Sequence, residues 1–160
     1  GTMVGVAVRR FDSRSADDFT RASLDARGYL RPGTPRGVVA VRALLSADFT
    51  DMGGQTPFYL QHSLGGGDTV RGFRSYRFQD QALYVLSAEY RWRLHRYIEI
   101  APFVDAGNVA PRVGGLTLHS LKVAPGFAIR ARTDRATLFR LEWATSSDGY
   151  RFVFGAGPAF

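Results

Sequence analysis

The chain has no cysteine and one lysine, Lys122, and nowhere does it stay apolar for as long as a membrane-crossing helix requires. Without cysteine there is no disulfide framework, no thiolate chemistry and no Cys-ligated metal. Without a run of about 18 apolar residues there is no transmembrane helix, but the alternating strands of a membrane barrel never produce such a run. A membrane is therefore not excluded. The scarcity of lysine leaves the net charge of +7 to arginine, whose planar fork bridges carboxylates and is weakly hydrated. The arginines fall mostly at alternate positions beside carboxylates instead of forming one basic run, which argues against a nucleic-acid partner. Export-signal patterning is also missing. Gly1-Thr2 ahead of Met3 reads as the remnant of a cleaved tag, so that absence carries no message about destination.

What is present is strand. A chain of 160 residues is one domain's worth, and its 18 glycines and 13% aromatic content suit many strands and tight turns. Alternation predicts strands at Val4 to Phe11, Phe19 to Leu30, Val38 to Phe49, Ala82 to Leu94, Tyr97 to Val109, Leu121 to Thr133, Ala136 to Thr145 and Tyr150 to Phe160. A ninth candidate, Phe58 to Gly65, reads better as the rim of a long loop over 50–80. From Tyr84 onward, Tyr84, Leu86, Ala88, Tyr90, Trp92 and Leu94 share one face, and Ser87, Glu89, Arg91 and Arg93 share the other. Ile98, Ile100, Pro102 and Val104 likewise oppose Glu99, Phe103 and Asp105, and Phe139, Leu141 and Trp143 oppose Arg140 and Glu142. Several of these segments approach the length that crosses a bilayer at a tilt.

A soluble β-sandwich also alternates apolar and polar faces. Against it, Tyr84, Tyr90, Trp92, Tyr97, Trp143, Tyr150 and Phe160 lie near strand ends, as headgroup girdles do. The polar face is also almost all arginine, acid and glycine, without the lysines and threonines of a solvated sheet. The balance favours a membrane barrel with a polar interior.

Catalytic signatures are missing. His62, His95 and His119 show no metal-ligand spacing, no G-x-S-x-G elbow occurs, and the run Gly65-Gly66-Gly67 lacks the Gly-Lys-Ser/Thr ending of a phosphate loop. Glu99 and Asp105 could form an acid/base pair, but neighbouring arginines would keep both ionised. The expectation is a protein without catalytic residues, metal or cofactor.

Three motifs stand in a telling order. They are Val70-Arg71-Gly72-Phe73 after the glycine run, Phe103-Val104-Asp105-Ala106-Gly107-Asn108-Val109, and Tyr150-Arg151-Phe152-Val153-Phe154 in a segment ending at Phe160. With them the chain resembles the outer-membrane assembly superfamily of BamA/TamA type, also called the bacterial surface antigen family. The resemblance implies an all-β fold, an antiparallel transmembrane β-barrel of about eight strands corresponding to the C-terminal half of a sixteen-stranded family barrel. It implies a single barrel domain over 1–160, with 50–80 a long loop that carries Val70, Arg71, Gly72 and Phe73 back into the lumen. Arg71 would pair there with Asp105, assisted by Glu99 or Glu142. Gly72 would permit a sharp backbone and Phe73 an apolar anchor. The alternative is a solvated hairpin in which Arg71 has no role.

The resemblance makes Tyr150, Phe152, Phe154 and Phe160 a C-terminal insertion signal and one side of a lateral seam. Gly155, Gly157 and Pro158 would either weaken that seam or only shape a rim. It further implies an outer-membrane location in a Gram-negative-type bacterium. The implied role is promoting assembly of proteins or organisation of lipid, with outer-membrane lipids, unfolded barrel proteins and a second copy of the chain as partners. A passive pore or structural membrane barrel is the alternative, and a soluble β-barrel binding protein the third. An eight-stranded barrel is filled by its own side chains, so either the loop lies outside the lumen or two chains combine their sheets.

Overall fold

The computed structural model describes residues 1–12, 18–50, 54–133 and 136–157. Its long strands are β1 (Thr2–Phe11), β2 (Phe19–Leu30), β3 (Gly37–Thr50), β6 (Ala82–His95), β7 (Ile98–Ala110), β8 (Lys122–Arg132), β9 (Thr137–Ser146) and β10 (Gly149–Ala156). Two short strands, β4 (His62–Leu64) and β5 (Phe78–Asp80), lie between β3 and β6. The long strands form one eight-stranded sheet in the order β1-β2-β3-β6-β7-β8-β9-β10, and every pairing is antiparallel. The segment Phe58 to Gly65, read as the rim of a long loop, holds a 3-10 turn, Phe58–Leu60, followed by the short β4. β4 pairs with β5 as a separate two-stranded ribbon.

Alternation places the side chains inside out relative to a soluble protein. Along β6, Leu86, Tyr90, Trp92 and Leu94 are exposed while Ser87 and Glu89 are buried. On β9, Phe139, Leu141 and Trp143 are exposed while Arg140 and Glu142 are buried. The face of β10 that carries Tyr150, Phe152 and Phe154 is open as well, Phe154 being 72% exposed. In a sandwich the apolar face would be the covered one. Here the sheet turns it outward, where only a hydrocarbon solvent matches it, and gathers the charges within.

The sheet curls about the segment joining β3 to β6. Asp68 accepts a hydrogen bond from Arg42 of β3 through its carbonyl, and the Gly72 carbonyl accepts one from Ser146 of β9 at 2.9 Å. Leu64, Val70 and Phe73 of this segment pack on Leu83 and Val85 of β6 and Ala124 of β8 as the main apolar cluster. The loop therefore lies against the concave face. Among the described residues β1 and β10 do not pair with each other. The sheet is an open barrel wall with a free strand edge on each side, and β10 pairs with β9 alone.

Candidate functional site

The site is built where the loop turns back. The Phe73 N–H donates to the Val70 carbonyl at 3.2 Å, and the Gly66 N–H to the Phe73 carbonyl at 3.0 Å, so Val70 to Phe73 form a closed turn. Val70 and Phe73 point into the apolar cluster, and Phe73 meets Phe78 edge to face. Arg71 points away from that cluster into the polar interior and is 2% exposed. Gly72, foreseen as permitting a sharp backbone, does so without a left-handed conformation. Its need for glycine is steric: a Cβ there would lie 2.6 Å from the Ala124 Cβ and 2.8 Å from the Thr145 carbonyl oxygen.

Arg71 uses its whole fork. Nε donates to Asp105 Oδ2 at 2.7 Å and Nη2 to Oδ1 at 2.8 Å, a bidentate pair reinforced by the Arg71 backbone N–H at 3.2 Å. Nη1 donates to Glu89 Oε1 and to Glu142 Oε1, each at 3.0 Å. The guanidinium carbon sits 3.4 Å from the centroid of the Phe103 ring, a cation–π contact from the same strand that supplies Asp105. That ring occupies space left by Gly126, where a Cβ would come within 2.3 Å of Phe103 Cζ. Burial opposes charge on Arg71, but Asp105, with Glu89 and Glu142 behind it, outweighs burial and holds the guanidinium above its ordinary range.

Glu142 joins Arg71 as foreseen for one of its two assistants, but Glu99 does not. Glu99 accepts from Arg130 Nη1 and Arg132 Nη1, each at 3.1 Å. It stands six residues from Asp105 on β7, about 20 Å along a strand, too far for one guanidinium to reach both. Glu89, absent from the sequence-based site, takes its place. Its polar-face position on β6 was visible, but its neighbours were not, because they follow from the register that pairs Glu89 with Phe103. Arg130 then extends the network, donating to Glu89 Oε2 at 2.6 Å.

A second cluster, also unforeseen, ties down the base of the loop. Arg21 of β2 donates to both oxygens of Asp48 on β3, at 2.7 and 2.8 Å, and to the Leu60 carbonyl of the loop. His62 Nε2 lies 3.1 Å from Asp48 Oδ1. The Arg21 guanidinium also lies 5.4 and 5.5 Å from the centroids of the Phe11 and Phe19 rings, which stack on each other. Among the described residues no group of three His, Asp or Glu side chains is placed to hold a metal ion. Tyr150, Phe152 and Phe154 line the outer face of β10, while Phe160 lies outside the described residues.

An antiparallel sheet that turns apolar side chains outward, with a charged concave face closed over by its own loop, defines the wall of a β-barrel. The chain belongs to the Omp85 superfamily, whose domain matches residues 1–160. It is a member of BamA/TamA type, an outer-membrane protein insertion and translocation family. No curated protein matches the chain.

Proposed function

We propose that this chain forms the wall and lumenal loop of an outer-membrane β-barrel that promotes the assembly of other proteins, or the organisation of lipid, without chemical turnover. The observation that carries the reading is the seating of Arg71 among Asp105, Glu89 and Glu142, which fixes a long loop against the concave face. A wall held open by such a loop keeps strand edges available, and a free edge is a template for an incoming strand. β10, with its outward row of aromatics, supplies one such edge and β1 the other. The partners that fit are outer-membrane lipids on the apolar face, unfolded barrel proteins at the edges, and a second copy of this chain pairing edge to edge.

The test is to reconstitute the chain in liposomes and follow the folding of another barrel protein into them. Acceleration that is lost on Arg71→Ala supports assembly activity. Steady ion conductance without acceleration would assign the chain to the passive-pore reading.

A further inference from the structure

Several arginines of this protein are met by carboxylate. Arg71 and Arg130 share the central acids, Arg21 has Asp48, Arg10 has Asp12, and Arg77 has Asp148. The rim opposite the long loop differs. Arg31 and Arg36 flank the turn from β2 to β3, Arg93 and Arg96 flank the turn from β6 to β7, and all are exposed. Among the described residues none of these arginines has a carboxylate partner. The nearest acid along β7, Glu99, is already taken by Arg130 and Arg132. The two turns are neighbours, since the Arg93 N–H donates to the Arg36 carbonyl at 2.9 Å. Like charges gathered in this way repel one another, and an anion relieves the repulsion.

The surroundings specify which anion. On the outward face at the same level, Leu30, Trp92, Leu94 and Ile98 are exposed, and the Arg96 guanidinium lies 4.6 Å from the centroid of the exposed Tyr97 ring. Exposed aromatic and aliphatic residues followed at once by arginine are the sequence of environments met on leaving the acyl region for the headgroups. Arg31, Arg36 and Arg96 belong to the turns themselves, and Arg93 stands near the end of β6.

We propose that this rim binds the phosphate headgroups of anionic phospholipids. It thereby fixes the depth and orientation of the wall in the bilayer. Arginine suits the task because its fork grips phosphate oxygens two at a time. An acidic polypeptide would satisfy the charge but would leave the adjoining apolar band unexplained. The inference rests on the reading of the sheet as a membrane wall.

The experiment reconstitutes the full chain in phosphatidylcholine bilayers doped with spin-labelled phosphatidylglycerol or spin-labelled phosphatidylcholine and compares their association with the protein surface. Phosphatidylglycerol is expected to associate more strongly at low salt, with the preference shrinking as salt rises. Each of Arg31→Ser, Arg36→Ser, Arg93→Ser and Arg96→Ser should lower that association by up to about fivefold, and the quadruple variant should treat the two lipids alike. Heat-modifiable gel migration checks that the variants stay folded. Equal association with the wild-type chain, or a preference that survives in the quadruple variant, overturns the inference. Binding of oligoglutamate without any lipid preference assigns the rim to acidic polypeptide and overturns it too. If neither label reports contact because the chain does not insert, the membrane-wall reading falls, and this inference with it.

Discussion

Arg71 carries more of the arrangement than any other side chain, because it is buried and each of its three guanidinium nitrogens donates to a carboxylate. Removing it would leave Asp105 in the interior without its cationic partner, while Glu89 and Glu142 would keep only their other arginines, Arg130 among them. Arg71→Ala is therefore expected to cost about 3–5 kcal/mol, read from urea unfolding in detergent, and Arg71→Lys should recover only part because an ammonium cannot hold Asp105 bidentately while reaching two further acids. Space matters as much as charge. Gly126→Ala would drive a methyl group into the Phe103 ring beneath the guanidinium and should destabilise by about 1–3 kcal/mol. A Gly126→Ala variant as stable as the parent would show that the ring does not support Arg71 as described.

At the scale of elements, the loop is anchored twice, by Arg71 in the middle and by Asp48 at its base. Asp48→Asn keeps the shape but weakens the hold on Arg21 and the contact with His62. Proteolytic cutting near residues 54–62 should then become faster while the core of the sheet stays protected. Unchanged cutting would mean the base cluster does not restrain the loop. The strands themselves were largely legible in sequence: β2 runs over the very residues predicted, Phe19–Leu30, and β6 and β7 differ from expectation only at their ends. Period-two alternation is a local signal and each strand carries its own copy. The loop was legible as a loop, but its ribbon of β4 and β5 was not, since three-residue strands offer no alternation to count. The Arg71 site was half legible for the same reason. Parity puts Glu89, Glu99, Asp105 and Glu142 on one face, but only register, a property of paired strands, separates Glu99 from the others.

At the scale of the whole molecule, a concave face filled by its loop and two unpaired edges belong together. Eight strands closed into a cylinder would leave no room for the loop. The refolded chain in detergent is therefore expected to have the mass of a discrete dimer, with edges paired between copies. A monodisperse monomer with the Val70–Phe73 turn open to protease would mean that the strands close on themselves and expel it. The central claim, that Arg71 and Asp105 act as one lock between loop and wall, is tested most directly by a double-mutant cycle. Unfolding free energies would be measured for the parent, Arg71→Ala, Asp105→Asn and the double variant in the same detergent. The account predicts a coupling of about 0.5–3 kcal/mol, the double variant being little worse than the poorer single one. Losses that simply add would contradict it, because each residue would then be stabilising the fold without the other.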